Sequence, residues 1–178
     1  MDAETLHKFQ AGDHATFNRI MREYQEPIYY FILRMTGNVH DAEDLAQETF
    51  VKTYLERSKF RGDSSINTWI YRIAANITKN HLRWRSIRHY LPLDALARVL
   101  TATAEDTRYE EIESHEKDLL NHLQELSPRQ RSVFLLKYFH RLSHQEVANI
   151  LDISVSSSKT NFHYAVKSLK ELVRENNA

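Results

Sequence analysis

Residues 143–166 read SHQEVANILDISVSSSKTNFHYAV, and the fold turns on how they are parsed. Ser143-His144-Gln145-Glu146 has the form of a capping box, a serine that starts a helix and a glutamate three residues on that bonds back to it. Val147, Ala148 and Leu151 follow at helical spacing. Asp152-Ile153-Ser154 then breaks the pattern, and a longer helix starts near Ser154 with Val155, Phe162, Val166 and Leu169 on one side. Ala148 is small where two crossing helices would meet. Such a pair can lay its second helix in the major groove of DNA. The outer face offers Ser156, Ser157, Lys159, Thr160, Asn161, His163, Tyr164 and Lys167, groups suited to base edges and phosphates. A solvated face on an ordinary helical hairpin would show the same pattern, so at this level both readings stand.

The surrounding sequence is helical too. Ser127-Pro128-Arg129-Gln130 repeats the capping logic with proline at the first helical position, and Val133, Leu136 and Leu142 supply apolar positions. The 178 residues contain only three glycines and three prolines, too few for the turns of a sandwich or barrel. Upstream, Asp13 precedes the stripe Phe17, Ile20, Met21, Tyr24, and Asn38 precedes Leu45, Phe50, Val51 and Tyr54. Pro27 is expected to kink or break its helix. Residues 58–65, SKFRGDSS, read as a loop, and Ile66 to Trp84 as one long helix. The class is therefore all-α: two small helical domains, 1–90 and 116–178, joined by an acidic linker over 91–115, the second domain a helix-turn-helix.

Cysteine is absent, which excludes disulfides and thiolate zinc sites. No apolar run approaches a membrane span and no signal peptide is evident, so a cytoplasmic protein is expected. Net charge is zero, but it is unevenly spread. Residues 57–90 carry eight Lys/Arg against one acid, and residues 91–118 carry three against eight. The long helix holds a cationic row, Arg72, Lys79 and Arg83, flanked by Asn76 and Asn80, with Tyr71 and Trp84 as exposed rings and Trp69 in the core. Cations interleaved with aromatics suit a single strand, whose phosphates they follow and whose bases they stack on, at ~1–3 kcal/mol per base. The preceding loop, with Lys59, Phe60, Arg61, Asp63 and Ser64, could receive a base turned out of the duplex.

Taken in order, these blocks resemble a known family, the bacterial RNA polymerase sigma factors of the extracytoplasmic-function (ECF) group. DAEDLAQETFVKTY (41–54) is similar to the segment that docks on core polymerase, FRGDSSINTWIYRIAANITKNHLRW (60–84) to the −10-reading and promoter-melting region, and LSPRQRSVFLLKYFHRLSHQEVANILDISVSSSKTNFHYAVKSL to the −35 reader. The resemblance implies a non-catalytic subunit without cofactor or metal. It would bind core RNA polymerase through Asp41, Glu43, Asp44, Leu45, Gln47, Glu48 and Phe50, and promoter DNA as duplex at −35 and single strand at −10. An anti-sigma factor is implied as a partner, and the acidic linker would lie in polymerase channels.

The recognition helix departs from the family pattern. Ser156, Ser157 and Ser158 stand where glycine, threonine and valine are usual, Asn161 and Tyr164 where arginine is common, and Asp152 where a turn glycine is usual. Fewer cations mean weaker duplex binding at −35 and more reliance on the −10 reader. Two other functions fit parts of the pattern. A helix-turn-helix regulator without a polymerase role leaves 41–54 and 60–84 unexplained. A Mg²⁺-dependent all-helical nucleotide hydrolase could use Asp41, Asp44 and Glu48, but needs carboxylates from a facing helix that the sequence does not identify.

Overall fold

A computed structural model describes residues 2–90 and 114–175. The expected linker lies outside these residues, apart from Ser114 and His115, which open a helix. Among the described residues all regular structure is helical, as expected. The helices are α1 (Ala3–Ala11), α2 (His14–Thr36), α3 (Val39–Glu56), a 3-10 turn (Arg57–Lys59), α4 (Ile66–Tyr90), α5 (Ser114–Glu125), α6 (Pro128–Tyr138), α7 (His144–Leu151) and α8 (Val155–Glu175).

Their starts are set by side chains that satisfy the free N–H groups of a first turn. Asp13 accepts from Thr16 N at 2.8 Å, Asn38 from Asp41 N at 2.8 Å, and Ser65 from Thr68 N at 3.1 Å. Ser127 and Ser143 both form complete capping boxes, with Gln130 and Glu146. Pro27 does not break its helix: α2 runs through it for 23 residues. Proline costs a helix interior ~3 kcal/mol. Ile20, Ile28, Phe31 and Ile32 are buried on either side of it, and burying one such side chain stabilises by ~1.5–3 kcal/mol. Packing therefore outweighs the local penalty.

In the first body α2, α3 and α4 pack around Ile28, Phe31, Ile32, Ala42, Ile70 and Ala74. In the second, α5 to α8 enclose Leu120, Leu123, Val133, Leu135, Leu136, Val147 and Ile150. The two bodies are docked. Arg131, 5% exposed, donates from Nη1 to the Met35 carbonyl at the end of α2 and to Gln124 Oε1. Its Nη2 donates to the carbonyls of Gln124 at 2.9 Å and Leu126 at 3.1 Å. Gln124 Nε2 donates to the Arg34 carbonyl at 3.2 Å. One guanidinium thus satisfies the last carbonyls of two helices, which have no partner within their own helix. Burial pulls the Arg131 pKa down to about 10, which leaves it charged at neutral pH.

Candidate nucleic-acid and polymerase interfaces

Helix α3 is buried along Leu45, Ala46, Thr49, Phe50 and Thr53, so Asp44, Gln47 and Glu48 must face outward, and they are exposed. Leu45 and Phe50, expected as polymerase contacts, are 6% and 7% exposed. Leu45 is a core residue, because the apolar stripe that forms the helix is the one that packs on α2. Phe50 borders a groove instead. Asp41 is held within the chain: its Oδ2 lies 3.1 Å from His81 Nε2 and 3.2 Å from Arg85 Nη1, tying the start of α3 to the far part of α4. Val51, expected on the helix's apolar stripe, and Leu55, which that pattern did not include, are exposed by 59% and 68%. With Gln47 they form an i, i+4, i+8 row beside an apolar groove of about 540 Å³ between α2 and α3, lined by Phe17, Met21, Phe50 and Tyr54. Their signal was available, as apolar residues out of phase with the buried stripe.

The loop over 57–65 alternates. Phe60 points in and is 3% exposed, while Lys59, Arg61 and Asp63 point out, with Ser64 half-buried. Phe60 is an anchor here and not a free stacking surface. Trp69 is half-buried in the same aromatic cluster, as expected, with its ring 5.1 Å from Phe60 and 6.0 Å from Phe9.

Along α4 the expected row divides. Asn76, Lys79, Asn80, Arg83 and Trp84 are exposed, Trp84 by 59%. Tyr71 is not a platform: it is 2% exposed and shares a 2.6 Å hydrogen bond with His140 Nδ1. Its ring lies edge-on to Phe31. Burial raises its pKa far above the usual tyrosine range. Arg72 Nε donates to the Asn149 carbonyl of α7 at 3.0 Å. The reason is that α4 buries two stripes. Ile70, Ile73, Ala74 and Ile77 form the main one, and Tyr71 and Ala75 extend it round to meet the second body. Lys79 and Arg83 line a 430 Å³ cavity between the bodies with Arg129, Leu151 and Ile153.

The helix-turn-helix closes as the sequence suggested. Asp152 takes the left-handed turn, φ 53° and ψ 56°, and its N–H donates to the Ala148 carbonyl. Ser154 accepts from Ser157 N at 3.0 Å and starts α8. Ser158 is fully buried, with its hydroxyl 2.9 Å from His144 Nδ1. Burial, then Lys137 and Lys159, hold His144 below the ordinary histidine range, so it is neutral around pH 7. Ser156, Lys159, Thr160, His163, Tyr164 and Lys167 are exposed. Ser157 and Asn161 are half-buried, and the Asn161 amide is turned back on its own helix, donating to the Ser157 carbonyl at 2.8 Å. Among the described residues no group of three or more His, Asp or Glu could hold a metal ion. Among them too, no helix is long and apolar enough to cross a membrane.

Known proteins match along the whole chain. The family described as Sigma-70 region 2 matches residues 20–87, and Sigma-70, region 4, matches residues 116–169. The ECF RNA polymerase sigma factor SigW of Bacillus subtilis is 31% identical over 188 aligned residues, covering 98% of each chain. The RNA polymerase sigma-H factor of Pseudomonas aeruginosa is 32% identical, covering 98% of this chain and 96% of its own. The fold is that of RpoE from Bartonella quintana, solved with the anti-sigma factor NepR (TM-score 0.70, 20% identity, covering 89% of this chain and 96% of that one). It is also that of CnrH, solved with the cytosolic domain of CnrY (TM-score 0.73, 19% identity, 96% of each chain).

Proposed function

We propose a division of labour among these surfaces from the premise that the chain belongs to the extracytoplasmic-function group of RNA polymerase sigma factors. It binds core RNA polymerase, directs it to promoters and helps open the −10 element. The single observation behind this is the co-linear match of both sigma regions within a full-length relationship above 30% identity. The chain is read as a non-catalytic, cytoplasmic subunit in two domains, 1–90 and 116–178.

In this reading the exposed row Asp44, Gln47 and Glu48, extended by Val51 and Leu55, docks on polymerase. A mixed acidic and apolar surface suits a helical partner with basic and apolar side chains. Lys79, Asn80, Arg83 and Trp84, with the outer side of the 57–65 loop, take the unpaired −10 strand. Lys159, Thr160, His163, Tyr164 and Lys167 face the −35 duplex, the lysines toward phosphates. In the docked arrangement Arg72 and Tyr71 are held by the second domain. The free chain is therefore closed, and the two domains separate for α4 to engage DNA along its length. An anti-sigma factor, of the kind solved with RpoE of Bartonella quintana, is the partner expected to control that step.

Promoter-dependent transcription by core polymerase with and without the protein tests the class. Initiation at a cognate promoter only in its presence is the expected result. Replacing Gln47, Glu48 and Val51 together should abolish co-elution with core polymerase. Retained co-elution would remove α3 from the docking surface.

A further inference from the structure

Helix α1 lies outside the span matched by Sigma-70 region 2, which begins at residue 20. Yet one of its faces is turned to the 57–65 loop. Leu6 lies under Gly62, its Cδ2 3.0 Å from where a β-carbon there would sit. Phe9 is fully buried, with its ring 6.1 Å from Phe60 at 79°. Gln10 Nε2 donates to the Phe60 carbonyl at 2.7 Å. Just past the helix, Gly12 meets the guanidinium of Arg57, which would stand 2.8 Å from any β-carbon. Arg57 Nη1 in turn donates to the Tyr54 carbonyl at 2.7 Å, with its guanidinium over the Tyr54 ring. Leu6, Phe9 and Gln10 are at i, i+3 and i+4, a single helical face. Of the remaining positions, Ala3, Glu4, His7, Lys8 and Ala11 are exposed and Thr5 is half-buried.

The Gln10 contact has a directional consequence. A trans peptide points its carbonyl and the next N–H in opposite directions. The described residues contain no cis peptide bond. Holding the Phe60 carbonyl inward therefore aims the Arg61 N–H outward, on the side where the Lys59, Arg61 and Asp63 side chains are exposed. Without that bond the loop is still held by the Phe60 ring, by the Phe60 N–H on the Arg57 carbonyl and by Leu6 under Gly62, but the Phe60 carbonyl loses its side-chain donor.

We infer that α1 is the positioning element of the strand-engaging loop, with Gln10 as the positioning residue that sets the Phe60–Arg61 peptide against an unpaired −10 base. This rests on the reading of the loop given under Proposed function. Holoenzyme, made from core polymerase and the full chain, is titrated with forked promoter DNA whose −10 non-template strand is single. An abasic site is moved through that strand. With the wild-type chain, loss of one base should weaken binding roughly tenfold, the scale of a single stacked base. Arg61→Ala should reduce that sensitivity at the same position.

Gln10→Ala and Gln10→Glu, which lack the donor, should bring the ratio below threefold while affinity for the abasic fork and for core polymerase stays unchanged. A merely structural role would lower the melting temperature and leave the ratio alone. A wild-type ratio in both Gln10 variants overturns the proposal. If no position of the wild-type scan responds to Arg61→Ala, the loop reading itself fails and the proposal falls with it.

Discussion

His140 is where a change of pH should open the docked domains. It follows α6 in the second domain, but Tyr71 and Phe31 of the first domain surround it, the Phe31 ring at 6.0 Å. Burial lowers its pKa to about 4, and the nearby Arg34 adds to that. Once the domains part, the imidazole meets water and recovers its ordinary value near 6.5. The closed form therefore prefers the neutral ring. Its full stability is present above pH ~6.5 and is lost as pH falls from there through about 4. The loss works out at about 2 kcal/mol by pH 5 and about 3 kcal/mol by pH 4.

The chain has no cysteine, so dyes on Asn18→Cys and Lys170→Cys, both exposed positions on α2 and α8, would report domain separation by energy transfer. Transfer should fall between pH 7 and 5 while far-UV circular dichroism holds steady. His140→Phe keeps a neutral ring against Tyr71 and Phe31 and should flatten the pH response. Tyr71→Phe removes the shared hydrogen bond, worth ~1 kcal/mol, and should open the domains about fivefold more at neutral pH. Unchanged transfer across the range, or the same response in His140→Phe, would refute the reasoning.

Further outcomes follow from single contacts. Arg131→Met leaves the carbonyls of Met35, Gln124 and Leu126 without this donor, and should cost ~1–3 kcal/mol for each that stays buried and unpaired, read by urea unfolding. Gly12→Ala should destabilise by more than ~1 kcal/mol in thermal melts, because φ is 84° there and the new methyl meets Arg57. Lys159→Ala in the holoenzyme should lower the salt slope of promoter binding by about 0.9 and weaken different −35 sequences alike, as loss of a phosphate contact does.

Much of the architecture could be read from local signals. Asp13, Asn38, Ser127 and Ser143 each announce a helix start through chemistry confined to four residues, and all four caps form. The turn at Asp152 was legible for the same reason. That Pro27 does not end its helix was not legible, because its local cost is offset by burial of Ile20, Ile28, Phe31 and Ile32 against other helices. Tyr71 was misread for a related reason: its partner His140 is 69 positions away, and no pattern within one helix reveals a second buried stripe. Small Ala74 and Ala75 side by side were the only hint that α4 is approached closely from two directions. Gln10 escaped notice because its partner is a backbone carbonyl, which leaves no mark on composition.

The carboxylate of Asp41 has a mechanical consequence. It sits in the first turn of α3, close to two side chains, His81 and Arg85, four residues apart on α4. Beyond the packing of α3 on α4, this contact ties the start of the first helix to the region of the second that carries Trp84. On the division of labour proposed above, this contact would couple the surface assigned to polymerase with the surface assigned to the melted strand.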